Sequence, residues 1–192
     1  VIVPIYKNDE ERAQVMAAAD LTFRELKAGG IRAHLDARDG VKPGAKYYEW
    51  EGRGVPFRLE IGPRDVAAGK VMLARRTGGR KVPVDTQGLA HTLRIEMDSM
   101  QLELLEAART RREQNSIRGI TKASFLDFLA RDGGFAYGGW CGDGKCEAEI
   151  KDETKATIRC LPDEEFQSPT RPETCMWCGR PATTEAVWAR AY

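Results

Sequence analysis

At 192 residues, with 42% hydrophobic and 31% charged side chains, the chain has globular composition and enough length for one medium core or two small ones. A formal net charge of +1 excludes a protein coated in positive charge. No apolar run reaches the roughly 20 residues that a membrane-spanning helix needs, so a soluble protein with no membrane partner is expected.

Val1 to Tyr6 is a short apolar, β-branched run that predicts a buried strand, with Pro4 at a bulge or edge. It opens without Met or a charged leader, and the chain is expected to be the later part of a longer polypeptide. Asn8 or Asp9 can cap a helix in which Met16, Ala19, Phe23 and Leu26 recur at helical spacing until Gly29-Gly30. Ile31, Ala33 and Leu35 alternate as a half-buried strand, and Asp36 to Gly44 predicts a surface loop leading into a short helix over 45–53. Phe57, Leu59 and Ile61 alternate with Arg58 and Glu60 in a strand that Gly62-Pro63 stops. Further strands are expected over 71–74 and 82–84, joined through Thr77-Gly78-Gly79. Asp85 is placed to cap a long helix with Leu89, Leu93, Met97, Met100 and Leu104 on one face, running to about Arg112.

This order predicts an α/β unit, a mixed and mainly parallel sheet flanked by helices, over residues 1–112. Residues 113–120 read as a polar, irregular linker and 121–192 as a small α+β metal-binding domain. In that second part Thr121 caps a helix through Phe125, Phe128 and Leu129, and another helix is expected over 147–153.

All five cysteines lie beyond residue 140. Cys141-Gly-Asp-Gly-Lys-Cys146 and Cys175-Met-Trp-Cys178-Gly179 are two thiol pairs of the spacing that closes a tetrahedron around structural zinc. Four thiolates leave no open coordination position, which opposes a hydrolytic role, and Lys145 and Arg180 can offset their charge. A redox Cys-x-x-Cys is the alternative, though it leaves the first pair without a role. Cys160, after a β-branched stretch, is expected to pack in the small core.

Between Arg38 and Lys81 eleven Lys or Arg stand against five Asp or Glu, a surplus that suits a polyanion as well as a solvated face. In the helix over 45–53, Tyr47 and Glu51 share a face. An aromatic ring can carry an unstacked base, and a carboxylate can accept from the N1–H and N2–H₂ of guanine. Arg58, Arg64, Arg75, Arg76 and Arg80 offer forks for phosphate or guanine. The alternative places Tyr47 and Trp50 in the core with the arginines solvated.

Gly54-Val55-Pro56-Phe57-Arg58-Leu59-Glu60-Ile61-Gly62-Pro63-Arg64-Asp65 resembles the anticodon-binding domain of class II aminoacyl-tRNA synthetases, most closely the prolyl members. Glycyl, threonyl and histidyl relatives share a looser version. The tail decides among them: Cys-x4-Cys, then Ala-Thr-Ile-Arg-Cys-Leu-Pro, Cys-x-x-Cys-Gly and a terminal Ala-Arg-Ala-Tyr resemble the C-terminal domain of prolyl-tRNA synthetases of the archaeal and eukaryotic type. The resemblance implies recognition of the tRNA(Pro) anticodon loop, whose second and third letters are G. It assigns RNA contacts to Tyr47, Glu51, Arg58, Arg64, Asp65 and Arg80, structural zinc to Cys141, Cys146, Cys175 and Cys178, and docking near the active site to Tyr192. Arg64 and Arg80 stand where some relatives carry Lys, which keeps the charge and changes the hydrogen-bond geometry.

The resemblance further implies that this piece is part of a cytoplasmic, homodimeric proline-tRNA ligase, partnered by the catalytic domain of the same polypeptide, where ATP, Mg and proline bind. No catalytic residue is expected in the chain itself. It has only His34 and His91, no phosphate-cradling Gly-x-x-x-x-Gly-Lys loop and no recognisable nucleophile–base pair. A non-catalytic zinc-containing adaptor built on the same fold, or the same region of another class II synthetase, is the rival reading.

Overall fold

A computed structural model of the chain describes residues 1–131 and 133–190. The chain divides into two compact units, Val1–Glu103 and Leu104–Tyr192. In the first, β1 (Ile2–Pro4), α1 (Asp9–Ala28), α2 (Pro43–Gly52), β2 (Phe57–Ile61), α3 (Pro63–Ala68), β3 (Lys70–Arg75) and β4 (Val82–Asp85) are followed by α4 (Leu89–Gln114), which runs on into the second unit. The second holds β5 (Ser116–Arg118), α5 (Lys122–Ala130), β6 (Phe135–Trp140), α6 (Gly144–Thr154), β7 (Ala156–Cys160), a single 3₁₀ turn (Glu164–Phe166) and β8 (Thr184–Arg190).

The first sheet has the order β1-β2-β3-β4 and is mixed, as expected, but its parallel share is smaller than the sequence reading held. β1 and β2 are parallel, while β2–β3 and β3–β4 are antiparallel. A parallel return needs a crossover of a dozen or more residues. Between β2 and β3 there is only the six-residue α3, and between β3 and β4 only a turn, so both reverse direction.

The strand expected over Ile31 to Leu35 is reduced to one parallel bridge, Ile2 to Leu35. Two causes are visible. Upstream, the Ala33 N–H folds back onto the Ile31 carbonyl at 2.8 Å, which turns the chain. Downstream, the ladder runs from Ile2 N–H to His34 and from Asp36 N–H to Ile2, and its next donor falls at Pro4, which has no N–H. The Asp36 carbonyl accepts instead from the buried ammonium of Lys46, at 3.0 Å.

Ile2, Val15, Ala19, Leu26, Leu59, Ile61, Val71, Leu73, Leu89 and Leu93 build the core between the sheet and α1 and α4. Asn8 caps α1 as expected, accepting the Glu11 N–H at 2.9 Å while Glu11 takes the Lys7 N–H. The buried stripe of α1 is Val15, Ala19, Thr22 and Leu26, so Met16 and Phe23 flank it half-buried. Asp85 does not cap α4; it ends β4 and pairs with Lys70 at 3.1 Å.

The second sheet has the order β5-β6-β8-β7, with β5–β6 parallel and the other pairs antiparallel. Residues 113–120, read as an irregular linker, contain β5. Phe125, Leu129, Ile150, Ala186 and Trp188 fill this core. Thr121 caps α5, its hydroxyl and that of Ser124 exchanging bonds with each other's N–H groups. No described helix is long and apolar enough to cross a membrane.

Candidate functional site

The second unit brings four of its five cysteines together. Cys141 follows β6, Cys146 sits in the first turn of α6, and Cys175 and Cys178 lie on a knuckle closed by the Thr174–Pro181 bridge. Within the knuckle Cys175 N–H donates to Arg180 at 2.7 Å and Gly179 N–H to Cys175 at 3.0 Å. Gly179 adopts φ 71°, which a side chain would resist. Met176 N–H ties the knuckle to the Gly139 carbonyl of β6, and a Cβ on Gly139 would collide with the Thr174 carbonyl. That approach gives Gly139 its physical reason, and a Cβ on Gly138 would meet the side chains of Ile120 and Met176 instead.

All four sulfurs lie within 4.8 Å of one another, with Cys146 and Cys175 3.8 Å apart and Cys141 and Cys178 3.7 Å apart. A zinc–sulfur bond of about 2.3 Å gives a tetrahedron with edges of about 3.8 Å, so the donor set fits that ion. Arg180 donates to Cys178 at 3.4 Å and to Cys141 at 3.5 Å, and is itself held by Asp143 at 2.7 Å. Hydrogen bonds from Arg180 pull the Cys178 thiol down to about 6, whereas burial pushes those of Cys141 and Cys146 up. Asp143 also caps α6, accepting the Lys145 N–H, so one carboxylate aligns both the helix and the arginine. Cys160 stays outside the group as expected but is exposed at the end of β7, which corrects its placement in the core.

In the first unit, Tyr47 and Glu51 of α2 meet Arg58 on the face of β2 opposite the core. Arg58 lies over the Tyr47 ring, its guanidinium carbon 3.8 Å from the centroid. Its Nη1 donates to Glu51 at 2.6 Å and its Nε to Glu60 at 2.9 Å. The second oxygen of Glu60 accepts from Lys81 at 2.6 Å. Burial, with the Glu60 carboxylate nearby, raises the Tyr47 hydroxyl well above its ordinary value of 10.0. Tyr47, Glu51 and Arg58 thus form one cluster, of which the shared helical face suggested only the Tyr47–Glu51 pair.

The other assigned residues lie elsewhere on this unit. Arg80 is exposed in the turn before β4, next to Lys81. Arg64 is exposed in the first turn of α3, past the far end of β2. Asp65 bonds the Gly62 N–H at 2.8 Å and so caps α3, a helix the sequence reading passed over. Arg75 turns toward α4, with Glu103 at 2.8 Å and Glu96 at 3.9 Å. Trp50 is neither core nor free, since its Nε1 donates to the buried Asp36 at 2.8 Å and its ring meets His34 at 4.6 Å. Tyr192 lies outside the described residues.

Glu60 and Lys81 were missed as members of the cluster. The alternation of Arg58 and Glu60 with apolar neighbours reads as a solvent face, and only the covering helix makes it an interior one. The Arg-x-Glu pair within the matched motif was the available signal.

Comparison with known proteins finds the family described as "Anticodon binding domain" over residues 1–96 and the one described as "Prolyl-tRNA synthetase, C-terminal" over 123–192. A proline–tRNA ligase of Cenarchaeum symbiosum is 40% identical over 192 residues, all of this chain and 39% of the relative. Proline–tRNA ligase 2 of Clostridioides difficile is 38% identical with the same coverage, and a proline–tRNA ligase of Chloroflexus aurantiacus is 40% identical over 195 residues. The chain spans about two fifths of the length of these relatives.

Proposed function

The chain belongs to the anticodon-binding domain family, joined to the C-terminal domain found in prolyl-tRNA synthetases, and from that premise we propose that it reads the anticodon of tRNA(Pro) within a proline–tRNA ligase. The observation that carries this reading is the Tyr47–Glu51–Arg58 cluster, where an aromatic ring, a carboxylate and a guanidinium converge on one patch. Guanine needs such partners: a flat surface, an acceptor for N1–H and N2–H₂, and donors for O6 and N7. Arg80 adds an exposed cation in the loop that carries Lys81, Arg64 a second one at α3, and Asp65 the oxygen that its cap leaves free. Proline, ATP and Mg belong to the catalytic part of the relatives, outside this chain, and Tyr192 is assigned to docking against that part. The whole ligase is read as a cytoplasmic homodimer.

The four thiolates hold zinc, which supplies structure and no reaction step. At roughly 10–16 kcal/mol apparent binding free energy, such an ion dominates the stability of a small domain.

Binding of the chain to a fluorescent anticodon stem–loop tests the function. The proline anticodon is expected to bind at least tenfold more tightly than stem–loops with adenine at the second or third letter, and Tyr47→Ala to abolish most of that preference. Equal affinity for all the stem–loops would reduce the interaction to nonspecific phosphate binding.

A further inference from the structure

An arginine reads a base well only if its plane is fixed, because the side chain otherwise loses rotamer entropy on binding. Arg58 is fixed from both ends. Its Nη1 is spent on Glu51 and its Nε on Glu60, while Nη2 makes no hydrogen bond among the described residues. The Glu60 side chain is 7% exposed and lies between two cations, with Arg58 on one oxygen and Lys81 on the other. Lys81 also stands 5.4 Å from the Tyr47 centroid, so the ring, the guanidinium and the ammonium are all indexed to one carboxylate.

We propose that Glu60 is a positioning residue for the anticodon-reading cluster: held by Lys81, it locks the Arg58 guanidinium over the Tyr47 ring and leaves the unused Nη2 for an incoming guanine. This rests on the function proposed above. Glu60 touches no RNA in this role and acts through Arg58. Lys81 serves chiefly as the second tie on Glu60, which keeps the carboxylate from following Arg58 out of the sheet.

The test measures stem–loop affinity with guanine and with adenine at the second and third letters, for the parent chain and for Glu60→Gln, Lys81→Met and Arg58→Ala. The isosteric Glu60→Gln is expected to lower the guanine-to-adenine preference about tenfold while changing affinity for the adenine stem–loops less than twofold. Lys81→Met is expected to lower the same preference two- to fivefold. A purely structural role for Glu60 would weaken all stem–loops together, in step with lost thermal stability, and that result overturns the proposal. Should Glu60→Gln fail to fold, Lys81→Met decides: parental preference overturns the proposal, and a reduced preference supports it. Arg58→Ala separates the two levels. If it leaves the preference intact, the reading of the cluster as an anticodon site fails; if it removes the preference while Glu60→Gln and Lys81→Met keep it, only the positioning role fails.

Discussion

Among single residues, Asp36 shows most plainly how a buried charge is tolerated. Its side chain is fully buried, and it accepts from Arg38 at 2.7 and 2.9 Å and from Trp50 at 2.8 Å, with the Lys46 ammonium 3.6 Å away. These donors, Arg38 foremost, hold the carboxyl well below the usual carboxylate range against the opposing effect of burial. Because the folded value lies below the unfolded one of about 3.9, the unfolded chain takes up the proton first as pH falls. The stabilisation is therefore complete above about pH 5 and drains away as pH drops toward the folded value. Asp36→Asn is expected to cost about 3 kcal/mol at pH 7, since it leaves two cations short of their partner. The gap from the parent should narrow at pH 3, as measured by guanidinium unfolding at both pH values. An equal gap at the two values would assign the cost to packing rather than charge.

Elements were legible in proportion to how local their causes are. The caps at Asn8 and Thr121 follow from short-range chemistry and were read correctly, as was the Tyr47–Glu51 face of α2. Helix α3 was passed over although Gly62, Pro63 and Asp65 spell an N-terminus, because Gly-Pro after a strand also spells a turn. Asp65→Ala should cost about 1 kcal/mol by uncapping that helix; a thermal melt showing parental stability would deny Asp65 the capping role. The reduced Leu35 strand, the antiparallel β3 and the strand β5 in the expected linker depend on partners distant in sequence, which no periodicity reveals. The Tyr47–Glu51 pair was legible for the same reason that α2 was, since i and i+4 positions meet on any helix, whereas Arg58 on β2 joined it only through the family resemblance. Glu60 and Lys81 were not legible, because the burial of Glu60 and its ion pair with the exposed Lys81 depend on elements distant in sequence.

For the whole molecule, the two units carry different sources of stability. The first has a sheet and helices around an ordinary apolar core, whereas the second is pinned where β6, α6 and the 175–178 knuckle converge on four sulfurs. Cys175→Ser is accordingly expected to lower bound zinc from about one ion per chain to a small fraction and to speed hydrogen exchange in β6, β7 and β8. The β1–β4 amides should keep their protection. Zinc content unchanged by the substitution would remove Cys175 from the site.

Whether guanines are read at the Tyr47–Glu51–Arg58 cluster is decided by the structure of the protein bound to the tRNA(Pro) anticodon stem–loop. A guanine of the anticodon is expected within hydrogen-bond distance of Glu51 and of an Arg58 amino group. A complex in which both guanines lie on another surface, with these side chains unchanged from their RNA-free positions, would contradict it.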